Sequence, residues 1–552
     1  MHHPLVEKIL HLRGLEDEKE QEHFLHPDWE RDTHDPFLLK DMHRACERIA
    51  RAIQNNETIL LWSDYDMDGI PGAVVLYDFF QLIGYECVRH YTPHRNKDGF
   101  GLNEAGLREA REAGVSLVIT IDCGIADVAC AEYARKEELD LIITDHHIPP
   151  EVLPSAYAII NPKQKDCAYP EKMLCGAGVA FKLVQGMRDF FVEHKILSQE
   201  KLPTKDALKW LLDMVGMATI ADMVPLVGEN RVFAHFGLVV LRKSRRCGLQ
   251  ALLKKAKVDQ RFLTEEDIGF SIAPRINAAS RMGHASDAFF LLASKDPQEA
   301  GGYAEKLEKI NSERKTLVAT MKRDIHARLK KRDTLAPVVV LGDPDWKPSL
   351  LGLVASGLAE EFVRPVFLWG REEGTVIKGS CRSGGGVQVH TLMHEAREQF
   401  LEYGGHAYSG GFSVSHEKVH TLEEGLVSAL AALPEAEEEK EACLPLALSE
   451  VHRETMRALS LCAPFGVGNP RPLFCFEGVR VETMRSFGKA SEHLEVVFSH
   501  DGAGAKAIAF FTTPEKHPAL VVGNTVSLHA YLEHSRFGGK EEVRLRMVRV
   551  GK

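Results

Sequence analysis

The chain has 552 residues, of which 44% are hydrophobic and 27% charged, an ordinary globular composition with room for three or four domains. Lys and Arg number 68 against 79 Asp and Glu, so at −11 the chain as a whole is no obvious nucleic-acid binder. No apolar run approaches the roughly 18 residues of a membrane span, and none of the eleven cysteines forms a C-x-x-C pair, which argues against structural zinc and for reduced thiols. The N-terminal stretch "MHHPLVEKILHLRGLEDEKE" is charged almost at once and has no apolar signal core, so the expected compartment is the cytoplasm, with no membrane association.

Residues 1–40 read as a short helical lead. From about 41 to 225, within a domain expected to run from 41 to 300, apolar runs alternate with helical patterns. The expected strands are "TILLW" (58–62), "ECVRHY" (86–91), "SLVITI" (116–121), "LDLIIT" (139–144) and "AYAIIN" (156–161). Helical patterns such as "NEAGLREAREAG" (103–114) and "ADVACAEYARKEEL" (126–139) lie between them. This alternation predicts an α/β domain with a largely parallel sheet. Within an expected connecting segment 301–333, one helical pattern from Tyr303 to about Lys331, carried by Tyr303, Leu307, Ile310, Leu317, Met321, Ile325 and Leu329, would span about 43 Å, enough to join two lobes. A second, smaller α/β segment covers 334–432 and is glycine-rich near its end. "LPEAEEEKEA" (433–442) reads as an acidic linker. From 443 to 552, the short strand-like runs "LEVVFS", "AKAIAFF", "TVSLHAYL" and "EVRLRMVRV" predict a small β-barrel or sandwich. Arg471–Lys552 holds 12 Lys and Arg against 9 Asp and Glu, a local +3 in an otherwise acidic chain.

Four apolar runs end in acids or histidines, a placement that in open α/β sheets marks the site beyond the carboxyl ends of the strands. "ILLWSDYDMDG" carries Asp64, Asp66 and Asp68; "VITIDCGI" carries Asp122; "LIITDHHIPP" carries Asp145, His146 and His147; "GMATIADMVPL" carries Asp222. One acid after a strand is usually a helix cap or a turn residue. Several gathered in one unit cannot be buried unless cations neutralise them. Mixed Asp and His ligands suit Mn²⁺ or Mg²⁺, and two such ions form the usual clamp for phosphate-ester hydrolysis.

"DYDMDG", "TIDCGI", "TDHH" and "ATIADMVPL" resemble, in order, the four motifs of the DHH phosphoesterase family. "CGAGVAFKL", "APRINAASRM", "LLGLVAS", "KGSCRS", "YGGHA" and "PFGVGNPRPLF" narrow the resemblance to its single-stranded-DNA-specific exonucleases. The resemblance implies a DHH catalytic domain, a connecting helix, a DHHA1 domain and a C-terminal OB-like domain that grips single-stranded DNA. It further implies that Asp66, Asp68, Asp122, His146 and Asp222 hold two ions, with Asp122 bridging them. His147 would face the scissile phosphate and Asp145 would orient a histidine. Water held between the ions would attack phosphorus in line. Many family members have a histidine four residues before the first acid of the pair, where this chain has Trp62; Asp64 is then the substitute ligand. Arg95, Arg281, Ser380 and Arg382 resemble a pocket for a 5′-terminal phosphate, and Gly405 and His406 resemble the nucleotide-facing part of DHHA1.

The implied activity is metal-dependent 5′→3′ degradation of single-stranded DNA to 5′-mononucleotides in repair and recombination, in a channel between lobes too narrow for a duplex. A helicase and a single-strand-binding protein are the implied partners, and a monomer the expected state. The alternatives are a phosphodiesterase for short RNA oligonucleotides or cyclic dinucleotides, and a catalytically silent nucleic-acid-binding scaffold. Of the barrel aromatics Phe487, Phe498, Phe510, Phe511, Tyr531 and Phe537, most should lie in the core and one or two on a binding face.

Overall fold

The computed structural model describes residues 3–95, 97–371, 376–434, 442–488, 491–535 and 541–551. The chain divides into two compact units. The first comprises Met1–Thr92, Phe100–Ile272 and Glu441–Lys552; the second comprises Pro93–Gly99 and Ala273–Lys440.

The first unit is built on the strands β1 (Thr58–Ser63), β2 (Val88–Tyr91), β3 (Val115–Ile121), β4 (Asp140–Thr144) and β5 (Ala158–Ile160), in the order β2-β1-β3-β4-β5 and all parallel. All five coincide with the expected runs to within two residues. Their near-continuous apolar sequences follow from burial on both faces, as a parallel sheet requires. Leu60, Trp62, Val118, Leu141 and Ile143 face the helices Glu104–Glu112 and Val128–Lys136. On the other face Gly69–Leu82 packs against Gly176–Glu193. This packing is close: a Cβ on Gly72 would lie 2.6 Å from Ile121 and 3.1 Å from the backbone of Ala177.

The C-terminal part of this unit has the strands β11 (Cys443–Pro445), β12 (Leu473–Phe487), β13 (His493–His500), β14 (Ala503–Ala509), β15 (Thr525–Ser535) and β16 (Glu542–Gly551). They run in the order β11-β12-β13-β14-β16-β15, and pairing of β12 with β15 closes a five-stranded barrel. The longest strand, β12, is not among the runs expected from the sequence. Bulges at Phe476/Val479 and Val481/Thr483 break its alternation of apolar and polar residues, the pattern by which a strand is recognised. The first helices, Pro4–Leu12 and Glu18–Leu25, share the barrel's apolar core: Leu5, Val6, Ile9, Leu10, Phe24 and Leu25 are buried in one cluster with Phe474, Phe476 and Leu528. Of the barrel aromatics, Phe498 is buried, Phe487 and Tyr531 are half-buried, and Phe510 and Phe511 are exposed; Phe537 lies outside the described residues, as does most of the acidic stretch 433–442.

In the second unit the long helix is Pro297–Leu329, 33 residues. It starts six residues before the apolar periodicity because Asp296 caps it, accepting from Gln298 N–H, and Pro297 supplies a preset φ in its first turn. Position 300 therefore falls inside this helix, against which Ala273–Met282 and Ser286–Ala293 pack. The strands β6 (Val339–Gly342), β7 (Val366–Arg371), β8 (Ile377–Arg382), β9 (Glu402–His406) and β10 (Ser409–Val414) form a mixed sheet in the order β6-β7-β8-β10-β9. The helix Pro348–Phe362 packs against β7 and β8. Among the described residues no helix is long and apolar enough to cross a membrane.

Candidate metal centre

Past the carboxyl ends of β1, β3 and β4 the chain turns, and each turn delivers an acid or a histidine to one place. Asp64, Asp68, Asp122, Asp145 and His146 are each at most 8% exposed, so four carboxylates are buried in one region. Asp66, His147 and Asp222 are half-buried beside them. Asp222 corrects one expectation. It follows a helix, Leu212–Ala221, rather than a strand, and its N–H donates to Ala218 O at 2.8 Å. That helix is buried on nearly every side, so its sequence lacks the polar stripe that would have revealed the 3.6-residue period.

Three sets of side chains offer ligand atoms within 4.8 Å of one another: Asp64, Asp66 and Asp122; Asp68, His146 and Asp222; and Asp122, His146 and His147. Asp122 is common to the first and third. His146 Nε2 lies 3.2 Å from Asp122 Oδ1 and 3.7 Å from both Asp68 Oδ2 and Asp222 Oδ2. Asp64 therefore groups with Asp66, while Asp68 faces the histidine.

The surrounding backbone fixes these positions. Asp68 accepts from Gly176 N–H at 2.5 Å and Ala177 N–H at 2.7 Å, the free donors at the start of Gly176–Glu193. Asp66 Oδ1 accepts from Asp68 N–H at 2.8 Å. Asp122 has φ 61°, a left-handed conformation that costs a non-glycine residue about 1–2 kcal/mol and that recurs at functional sites. A Cβ on Gly176 would lie 2.5 Å from Asp122 Cβ, so only glycine lets this helix start so near. The motif "CGAGVAFKL" carried this signal, but periodicity and charge assign it no role.

Asp145 does not join the ligand sets. Its Oδ1 accepts from His146 N–H, His147 N–H and His147 Nδ1 at 2.7, 3.0 and 2.7 Å, and its Oδ2 accepts from Ile125 N–H at 3.0 Å. It thus holds His147 by Nδ1 and leaves Nε2 for other partners. The Asn161 amide donates to His147 O at 2.9 Å, a contact that sequence reading missed. Trp62 is fully buried and points to the other face of the sheet. Its Nε1 donates to Gly101 O at 3.2 Å and its ring lies 4.3 Å from that of Tyr91.

The electrostatics fit a cation site. Burial, with the charge of Asp66, pushes Asp68 up to about 7. Burial and Asp68 push Asp222 up to about 9 and Asp122 well above the usual carboxylate range. Burial drives His146 down to about 3, a neutral imidazole fit to be a ligand. Asp145 behaves oppositely: burial would raise it, but the hydrogen bonds from His147 and Ile125 hold it low. His147 is raised because Asp145 outweighs its burial. Among the described residues no hydrogen-bond donor reaches Asp122 Oδ1, which is buried. Acids that resist ionisation and an oxygen without a donor are what divalent cations would satisfy.

The residues expected to form a phosphate pocket lie in the second unit. Arg281 Nη1 donates to Ser349 O at 2.8 Å, in the first turn of Pro348–Phe362. Arg382 Nη1 donates to Ser380 Oγ at 3.0 Å, and a Cβ on Gly352 would lie 2.7 Å from Arg382 Nη2. One helix start thus gathers Arg281, Ser380 and Arg382, a favourable place for an anion. The ring of His94, next to Arg95, lies 5.5 Å from that of His284. Gly405 (φ 142°) and His406 are exposed on the edge strand β9.

Comparison with known proteins agrees with this geometry. The DHH family N-terminal domain matches residues 58–215, the DHHA1 domain 335–433 and the RecJ OB domain 444–549. The single-stranded-DNA-specific exonuclease RecJ of Bacillus subtilis (strain 168) is 34% identical over 98% of this chain and 67% of its own length. RecJ of Haemophilus influenzae is 30% identical over 98% and 95%. The crystal structure of Thermus thermophilus RecJ with Mn²⁺ superposes with a TM-score of 0.82 at 28% identity, covering 100% of this chain and 76% of that one. The same protein was solved with Mg²⁺, with a TM-score of 0.76 at 26% identity, covering 100% and 75%. The parallel sheet and its buried acids and histidines thus define a phosphoesterase of the DHH class. Within that class, the chain belongs to the RecJ family of single-stranded-DNA-specific exonucleases.

Proposed function

We propose that Asp64, Asp66 and Asp122 hold one divalent cation, Mn²⁺ or Mg²⁺, and that Asp68, His146 and Asp222 hold a second, with Asp122 shared. Bound there, the pair supplies Lewis acidity and charge neutralisation for hydrolysis of a phosphodiester. The chain's own residues do the rest. Asp68 is fixed by two backbone N–H groups, so its carboxylate is aimed before any ion arrives. His147, fixed by Asp145 and raised in pKa, offers positive charge to the scissile phosphate. Asp145 holds the ring by Nδ1–H, and its charge favours the protonated imidazole. Arg95, Arg281, Ser380 and Arg382 bind a 5′-terminal phosphate, whose extra charge sets the register for cleavage from the 5′ end. Gly405 lets the backbone of β9 approach a nucleotide, and His406 contacts it. The barrel holds single-stranded DNA by stacking, with exposed Phe510 and Phe511 the first choices for that face.

The enzyme is a metal-dependent exonuclease that degrades single-stranded DNA in the 5′→3′ direction to 5′-mononucleotides, in repair and recombination. It works in the cytoplasm as a monomer, beside a helicase and a single-strand-binding protein; family resemblance supports these last assignments. The observation that carries the chemistry is that buried Asp122, in one of these ligand sets, lies 3.2 Å from His146 of the other. The test is a substrate panel with Mn²⁺ or Mg²⁺: 5′-phosphorylated single-stranded DNA, duplex DNA, short RNA and a cyclic dinucleotide. Hydrolysis of the single strand from its 5′ end is expected. Cleavage of the cyclic dinucleotide with the single strand untouched would overturn the reading.

A further inference from the structure

Asp222 opens a short loop that runs to Val227 before the helix Gly228–Leu241 begins. Met223 in this loop has φ 61° and is 68% exposed, so its side chain does little to hold a backbone that non-glycine residues adopt at a cost. The bracing comes from a segment more than two hundred residues away, "APFGVGN", Ala463 to Asn469. Leu226 N–H donates to Val467 O at 2.7 Å. A Cβ on Gly466 would lie 2.8 Å from Leu226 Cδ1, and Leu226 is only 1% exposed, with little room to move. A Cβ on Gly468 (φ 72°) would lie 3.1 Å from Pro225 Cβ. The two loops therefore touch where only glycine allows it.

The bracing segment is itself fixed. Asn469 is fully buried, and its Nδ2 donates to Cys462 O at 2.8 Å and Pro464 O at 2.7 Å. Gly466 and Asn469 exchange backbone hydrogen bonds of 2.9 and 3.1 Å. Arg231, in the helix that follows the Asp222 loop, donates to Ala463 O at 3.0 Å. Glu265 accepts from Phe465 N–H at 3.3 Å.

We infer that the Phe465–Asn469 loop is a positioning element for Asp222, so that the C-terminal module shapes the hydrolytic centre separately from any grip on DNA. The inference rests on the reading of Asp222 as a cation ligand. Coupling of this kind is reciprocal: a brace that favours cation binding is itself stabilised by the cation.

The test uses the full-length protein, Mn²⁺ titration followed by calorimetry, and hydrolysis of a 5′-phosphorylated dinucleotide, which offers the barrel little strand to hold. Gly466→Val forces the two loops apart, and Asn469→Ala removes the buried hydrogen bonds without adding bulk. Both should weaken Mn²⁺ binding at least about fivefold and lower kcat on the dinucleotide, with KM changed less than about twofold and far-UV circular dichroism retained. Leu226→Ala placed in Gly466→Val should recover most of the lost Mn²⁺ affinity. Parental Mn²⁺ affinity in both folded variants, with Asp222→Ala impaired, overturns the inference. Parental affinity in Asp222→Ala as well overturns the ligand assignment beneath it. Hydrogen exchange on the unsubstituted protein provides a test that does not depend on variants folding. Mn²⁺ should slow exchange at 465–469 together with Leu226. Slowing around Asp122 with none at 465–469 overturns the inference.

Discussion

His146 Nε2 lies 3.2 Å from Asp122 Oδ1, with both side chains buried. Burial keeps the imidazole neutral and resists ionisation of the carboxylate, so without cations protons take the place of positive charge on the acids. Asp68 at about 7 and Asp222 at about 9 add to the same effect.

The sign of the pH dependence follows. An unfolded aspartate titrates near ~3.9. The folded, cation-free chain thus keeps protons that the unfolded chain has already released. Its stability should fall as pH rises from about 4 through about 9. Cations compete with those protons, so Mn²⁺ affinity should climb over the same window, with proton release. Thermal scans with and without Mn²⁺ check this: the gain in Tm should be larger near pH ~8.5 than near pH ~6. A gain that shrinks with pH would contradict it.

Gly176→Ala places a methyl group 2.5 Å from Asp122 Cβ. Overpacking of this kind costs about 1–3 kcal/mol. Because the displaced group is the carboxylate proposed to be shared, kcat should fall at least about tenfold even where the protein stays folded. Parental kcat in a folded Gly176→Ala would show that Asp122 tolerates displacement.

Asp145→Asn turns one accepting oxygen into an NH₂ donor facing Ile125 N–H or the His147 donors. Loss of such supporting hydrogen bonds typically costs about 10–100-fold in activity or metal affinity. The expected result is a drop of that size in kcat and a shift of the pH–rate profile, since His147 loses the charge that raises it. An unmoved profile would separate His147 from the chemistry.

Arg382→Ala removes a guanidinium beside Ser380 and Gly352 without touching the acid cluster's unit. Preference for a 5′-phosphorylated over a 5′-hydroxyl strand should fall roughly tenfold, mainly through KM. Competition between the two strands in one reaction measures it directly. An unchanged ratio would remove Arg382 from the phosphate pocket.

Much of this fold was legible because two local patterns are strong in it. The parallel strands are continuous apolar runs, and the acids follow three of them, so Asp64, Asp66, Asp68, Asp122, Asp145, His146 and His147 could be placed together before any coordinates. The rest depended on contacts distant in sequence. Leu5, Val6, Ile9 and Leu10 announce a buried helical face but not that its partner is a barrel near the other end of the chain. Asp222 sits after a helix buried all round, whose period is hidden. Trp62 occupies the place of a familiar ligand; its indole cannot ligate a cation, and the structure adds that it turns toward Gly101 and Tyr91. Which acid pairs with which histidine is likewise a matter of geometry, and Asp68 with His146 was not readable from spacing.

The most direct measurement is the Mn²⁺ stoichiometry of the parent and of Asp122→Ala, taken with their activity on 5′-phosphorylated single-stranded DNA. The parent should bind two ions. Asp122→Ala should keep its fold, lose tight binding of at least one ion, and lose about 1000-fold or more in kcat. Hydrolysis at the parental rate by Asp122→Ala, or a single ion in a fully active parent, would contradict a two-cation centre joined at Asp122.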